Sequence, residues 1–354
     1  MDTKSSFRPE SSPVWCVWFI SFIAFAVGTS VSVEAAESRQ GRSSPATEYI
    51  SVVFENDVFF QEDGGYTNGF GVALGKGTFD EFDRDNTPAW LLPLVKATYL
   101  NRLAKRKRAI SYLFGQVINT PEDIQSEVLL DQQQPYSGAL LWRANFYAVD
   151  METTDRIALH LGVVGPISEA EESQKLIHKL TSGKNPRGWS HQLKDEPVAR
   201  IEFAHSEKLW QYALDGGLGV ELVGSAHGGV GNLRSDVGAG AGFRLGYHLA
   251  DTVHTATDLP GREVNPIAGV GERRWLVFVE VLGRYVFNDI FIEGNNFQRS
   301  HGVPLVHEQL QISYGVSFNL GRWAFIYSGA RATKSYEKQP ASSDFGAIGV
   351  TYRF

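Results

Sequence analysis

The sequence is short of what most soluble secreted folds use to hold together. Its single cysteine, Cys16, lies in an apolar N-terminal run, so the rest of the chain can form neither a disulfide nor a thiolate metal site. There is no excess of positive charge. Lys and Arg number 33 against 40 Asp and Glu, a net charge of −7, which argues against a nucleic-acid partner. Beyond the N-terminal run, no stretch approaches the roughly 20 apolar residues of a membrane-spanning helix. Sequence motifs for hydrolysis are also missing: no Gly-x-Ser-x-Gly elbow and no His-Glu-x-x-His zinc spacing occurs.

The N-terminus has the layout of an export signal. Lys4 and Arg8 precede an apolar run from Val14 to Val27, and Val33-Glu-Ala35 fits a small-residue cleavage site. Residues 1–35 are therefore expected to be a signal peptide, with 36–354 as the working domain.

From about Glu48 the chain alternates with period two, the signature of strands. Leu310, Ile312, Tyr314, Val316 and Phe318 fall on one face; Gln311, Ser313, Gly315 and Ser317 fall on the other. Strands are predicted near 48–59, 66–77, 108–118, 138–149, 155–165, 196–206, 211–224, 236–249, 273–288, 305–320, 322–334 and 343–354. Most reach ten residues or more, the length that crosses a bilayer at a tilt. Lipid offers the backbone no hydrogen bonds, so a spanning sheet must close. The expected fold is all-β: a transmembrane antiparallel β-barrel of about twelve strands. The last strand ends in Tyr352-Arg-Phe354, and a terminal aromatic there resembles the assembly signal of outer-membrane barrels.

With both chain ends on the periplasmic side, the odd connections face outward. The links at 150–154, 206–209 and 319–322 are then short inner turns. Two inner connections are long. Residues 78–107, with Trp90-Leu-Leu-Pro-Leu-Val95 and a basic end, read either as an amphipathic helix on the inner leaflet or as a solvated loop. Residues 251–272 read as an irregular loop.

Two polar clusters face outward. Ser168 precedes Glu171 by three residues, a capping-box spacing that predicts a helix over 168–182 with Gly183 as its stop. Gln174 and His178 share one face of it. In the first hairpin, Asn56 and Asp57 end one strand while Thr67 and Asn68 begin the next. Oxygen donors gathered at one rim suit a hard cation such as Ca²⁺, or simply the hydrogen bonds of a turn. Adjacent Asn56 and Asp57 can serve one site only at a strand end or a bulge.

An ordered set of short motifs spans nearly the whole domain: Phe54-Glu-Asn-Asp57, Tyr66-Thr-Asn-Gly69, Thr120-Pro-Glu-Asp123, Pro135-Tyr-Ser-Gly138, Gly162-Val-Val-Gly-Pro166, Gln174 with His178, and Gly188-Trp-x-x-Gln-Leu193 with Glu196-Pro197. This set resembles the outer-membrane lipid A 3′-O-deacylases. The resemblance implies a twelve-strand barrel that removes the 3′-linked acyl group of lipid A, the anchor of lipopolysaccharide, with Ca²⁺ as cofactor. It implies His178 as the base that activates water, with Asn56, Asp57 and Gln174 as further site residues. Asn56, Asp57 and Thr67 would hold the metal. The implied setting is the bacterial outer membrane, and a monomer is expected. The pattern departs from the family at Lys184, where an acidic residue is usual, at Gln134, often Arg, and in 124–131, which lacks a basic pair. The alternatives are a non-enzymatic barrel, as pore or structural protein, and a phospholipase with a Ser-His pair.

Overall fold

A computed structural model describes residues 47–56, 65–181, 185–249 and 273–354. The expected signal peptide, Asp57, Lys184 and the 251–272 loop lie outside the described residues.

Twelve strands form one closed antiparallel barrel. They are β1 Thr47–Asn56, β2 Gly65–Phe79, β3 Lys107–Thr120, β4 Ser137–Val149, β5 Thr153–Val164, β6 Glu196–Ala213, β7 Leu218–Gly231, β8 Arg234–Tyr247, β9 Arg274–Asp289, β10 Glu308–Leu320, β11 Trp323–Ala332 and β12 Ser343–Arg353. Each pairs with its sequence neighbours, and β1 pairs with β12 from Tyr49↔Arg353 to Asn56↔Gly346, which removes the last edge. Among the described residues no helix is long and apolar enough to cross a membrane.

The two faces are inverted relative to a water-soluble barrel. Along β6, Arg200, Glu202, Ser206 and Lys208 are buried in the lumen, whereas Ile201 and Phe203 are 44% and 46% exposed. Such a surface is stable only where the solvent is hydrocarbon. Inside, the charges compensate one another. Arg200 holds Asp236 at 2.7 Å and Glu202 at 3.1 Å, and Arg156 bonds the same Glu202. Lower down, Glu221 forms an ion pair with Lys208 at 3.2 Å and accepts from Arg244 at 3.0 Å. Aromatic side chains ring the outer wall near the end that carries both barrel termini: Trp210, Tyr212, Trp275, Trp323 and Phe354 are all exposed. Aromatic belts of this kind sit at the membrane–water boundary.

The boundary between β6 and β7 differs from the expectation. The predicted turn at 206–209 is strand; β6 runs on to Ala213, and the turn is Asp215-Gly216-Gly217. Both glycines have positive φ, 73° and 83°, which a side chain would resist. The alternation happens to stay in phase across that turn, so period alone could not find it.

The long inner connection is only partly helical, with a short helix Leu92–Ala97 and a 3₁₀ turn Tyr99–Arg102. Phe82, Leu91, Val95 and Leu100 pack on Ile110, Phe146, Ala148 and Ile157, on the lipid-facing wall of β3, β4 and β5.

Replacing Glu221 by Ala should leave Lys208 and Arg244 buried without their shared carboxylate. Breaking a buried pair this way costs about 3 kcal/mol. The urea midpoint of unfolding in detergent should fall accordingly; an unchanged midpoint would show that the lumen charges contribute little.

Candidate active site on the lipid-facing rim

The ladders place Asn56 and Asn68 of the predicted residues in one row. Asn56 pairs with Asn68, Asn68 with Ile118, and Ile118 with Gly138, whose carbonyl accepts the Gly165 N–H at 2.9 Å. One row thus runs around the rim from β1 to the end of β5. It sits at the end of the barrel opposite the termini. Alternation along β1 puts Asn56 on the same side as exposed Ile50 and Val52, while Ser51, Val53 and Glu55 face the lumen. The row therefore lies on the lipid-facing wall.

Asn56 is nevertheless only 6% exposed. Asp57 is the next residue but lies outside the described residues. Thr67 is the residue skipped between Tyr66 and Asn68 in the pairing of β2 with β3, so it occupies a bulge.

The helix Ala170–Thr181 packs against β3 and β4 at this rim. Its start is not the capping box expected from Ser168 and Glu171. Pro166–Ser168 forms a 3₁₀ turn, Glu169 takes a left-handed conformation (φ 56°), and the Ser168 hydroxyl donates to Gly165 O at 2.6 Å. Gln116 on β3 donates to Ser168 O at 2.6 Å, which ties the turn to the wall. Gly138 makes room for it: a Cβ there would lie 2.1 Å from Ala170 Cβ and 2.3 Å from Ser168 Oγ.

Gln174 and His178 lie on the inward face of this helix, 1% and 9% exposed, while Leu176 is exposed on the other side. Trp189 Nε1 donates to Gln174 Oε1 at 2.8 Å, and Trp189 packs among Ile118, Ile124, Tyr136 and Ala170. Gln174 is therefore held by the indole, and its buried Nε2 has no hydrogen-bond partner among the described residues. The Tyr136 hydroxyl donates to Ile124 O at 2.9 Å, and burial pushes its pKa up to about 12, so it stays a neutral donor.

Other motif residues turn out to be scaffolding. Gln134 donates to Thr120 O at 2.6 Å, which gives the glutamine at this position a structural task. Glu196 accepts from Asn295 at 3.1 Å, Asn296 at 3.0 Å and the Phe297 N–H at 3.2 Å, fastening the 290–307 connection to β6. Trp189 belongs to a sequence motif, but its clamp on Gln174 was not foreseen. The preceding Gly188 leaves space for Tyr136.

With this geometry in view, the comparisons with characterised proteins are decisive for the family. Residues 19–354 match the family of outer membrane protein LpxR. The chain belongs to the LpxR family. Among solved structures it is similar to LpxR from Salmonella typhimurium, at 17% identity and a TM-score of 0.70, covering 86% of this chain and 100% of that one. The β domain of the Bordetella autotransporter BrkA aligns at 9% identity and a TM-score of 0.42, over 87% of this chain and 99% of that one. No curated protein matches. The shared fold with Salmonella LpxR agrees with the closed twelve-strand barrel, and the family places the chain in the outer membrane.

Replacing Gly138 by Val should lift the start of the rim helix without opening the barrel. Overpacking of this kind costs about 1–3 kcal/mol. Limited proteolysis should then cut within 166–181 faster than in the parent while the barrel stays heat-modifiable on gels. Equal cutting rates would mean that the close approach of Ser168 and Ala170 to Gly138 does not seat the helix.

Proposed function

We propose that the chain is a lipid A 3′-O-deacylase, hydrolysing the ester of the 3′-linked acyl group at the outer leaflet. The observation that carries this reading is the placement of a buried imidazole-bearing helix and the buried Asn56 on one rim and on the lipid-facing wall. A soluble substrate would be met in the lumen or at the loop tips. A membrane lipid meets the outer wall first.

Dimensions favour a shared site. Three strand spacings separate Asn56 from Gly138, about 14 Å. His178 lies two turns beyond Ala170, about 12 Å of helix rise. A helix leaning from β4 across β3 has the reach to bring His178 to the first hairpin.

In the proposed reaction the His178 imidazole accepts a proton from water as the water oxygen bonds to the acyl carbonyl carbon. The carbonyl electrons move onto oxygen and return as the C–O bond to the sugar breaks. The same proton passes to the departing sugar oxygen, giving a free fatty acid and a lipid A hydroxyl. Gln174, gripped by Trp189, orients the helix face that carries His178. No acyl-enzyme forms.

Asn56, Asp57 and Thr67 are the residues that would hold Ca²⁺. All are hard oxygen donors; in sequence Asp57 follows Asn56, and Thr67 precedes Asn68, the pairing partner of Asn56. A bound cation would stabilise negative charge developing on the carbonyl oxygen. A mixed amide, hydroxyl and carboxylate oxygen set suits a hard cation better than zinc.

Loss of a general base should slow the reaction about a thousandfold. His178→Ala is expected to fold and insert normally yet leave lipid A fully acylated in mass spectra of cells expressing it. Chelation of Ca²⁺ should silence the parent protein, and a serine-directed reagent should not. Deacylation persisting in His178→Ala would remove that imidazole from the reaction. Inhibition by the serine reagent would favour the phospholipase-like alternative.

A further inference from the structure

Apart from the rim site, the largest departure from a plain barrel is the inner connection 80–106, folded back on the outside of the wall. Its inward side, Phe82, Leu91, Val95 and Leu100, is fully covered by β3, β4 and β5. Polar bonds lock its far end: Arg106 pairs with Asp150 at 3.0 Å and also bonds Asp155, and the Tyr99 hydroxyl donates to Asp155 at 3.1 Å. The segment is thus a fixed part of the outer wall.

What it turns outward is unusual for a connection between strands. Trp90 is 57% exposed, Leu94 58% and Tyr99 39%. Tyr99 reaches Asp155 near the terminal end of the barrel, where Trp210, Tyr212, Trp275, Trp323 and Phe354 ring the other strands, and Trp90 packs on Trp142 of β4 with ring centroids 5.7 Å apart. On β3, β4 and β5 the corresponding wall is hidden beneath the segment, and Trp90 and Tyr99 supply that arc of the ring. Charge is arranged to match. From Leu92 to Arg108 there are six cations and no carboxylate. Arg106 is paired as described, Lys107 binds Asp80 at 2.6 Å, and Arg108 donates to Leu103 O and Arg106 O. Lys96, Arg102 and Lys105 are exposed and meet no carboxylate among the described residues. The acidic residues Asp80, Glu81, Asp83 and Asp85 are confined to the start of the segment, and the Asp83 carboxylate is occupied by the N–H groups of Asp85 and Asn86.

We propose that segment 80–106 is an interfacial brace: Trp90, Leu94 and Tyr99 enter the boundary of the leaflet on the side of the chain ends, and Lys96, Arg102 and Lys105 hold anionic phospholipid headgroups there. Apolar insertion beside a basic patch is the combination that keeps a peripheral segment on a charged leaflet. The brace fixes the barrel's depth from below, independently of chemistry at the opposite rim.

The test uses the full chain carrying Cys16→Ser and Leu94→Cys, labelled with an environment-sensitive fluorophore and refolded into vesicles. Phosphatidylcholine vesicles are compared with vesicles of phosphatidylcholine and phosphatidylglycerol, each with brominated acyl chains. Quenching at Leu94→Cys should approach that of the same label at Val279→Cys on the lipid-facing wall of β9. Mass spectrometry of co-purified lipid should show phosphatidylglycerol enriched around the barrel. The triple variant Lys96→Gln, Arg102→Gln, Lys105→Gln should lose that enrichment by a few-fold per charge, at an unchanged unfolding midpoint. A label in water, unquenched in both vesicles, would overturn the proposal. So would lipid enrichment indifferent to the three cations, or a cross-link at Leu94→Cys to a second copy of the chain in place of lipid quenching.

Discussion

A backbone amide in hydrocarbon has no water to turn to, and every other feature of this protein follows from how that demand is met. The register from Tyr49↔Arg353 to Asn56↔Gly346 joins the first strand to the last and leaves no row of open N–H and C=O groups. Once the cylinder is closed, each strand must serve two solvents at once. Ile201 and Phe203 face lipid while Arg200 and Glu202, their immediate neighbours, face the lumen. The lumen is too polar to be held by apolar packing, so charges such as Arg200, Asp236 and Glu202 satisfy one another.

Closure also decides where a site can be built. The strands are committed to spanning, and anything further has to be added at their ends. The rim achieves this by replacing side chains with space. Gly138 lets Ser168 and Ala170 approach the wall, and Gly188 lets Tyr136 lie against Trp189. The helix then rests on a cluster of Ile118, Ile124, Tyr136 and Trp189 rather than hanging in solvent. A short helix of this length would be marginal on its own. Packing, together with the Trp189–Gln174 bond, is what makes its inward face a rigid surface. The family and the fold belong to an outer-membrane LpxR protein, and the proposed ester hydrolysis uses that surface where acyl chains and water meet.

The two ends of the barrel use the lipid-facing wall differently. At one end a helix packs on β3 and β4; at the other, segment 80–106 covers the wall with an apolar underside and a basic exterior. Both are additions to the outside, which leaves the lumen free for its charge network.

The alternation of apolar and polar residues was enough to recognise spanning strands, since lipid on one side and water on the other impose period two directly on composition. It failed between β6 and β7, where Tyr212, Leu214, Gly216 and Leu218 keep the period through a turn; the signal there was Asp215-Gly216-Gly217, a turn former. The helix over Gln174 and His178 was legible from its spacing, but its start was not, because Ser168 bonds back to Gly165 and Glu169 takes a left-handed turn imposed by the wall. Sequence alone thus determined the class of fold, the number of strands and the residues worth watching. Only the tertiary structure decided that Asn56 shares a row with Gly138, that this row faces lipid, and that Trp189 grips Gln174. Those facts depend on register and on packing between strands and loops, which local spacing does not record.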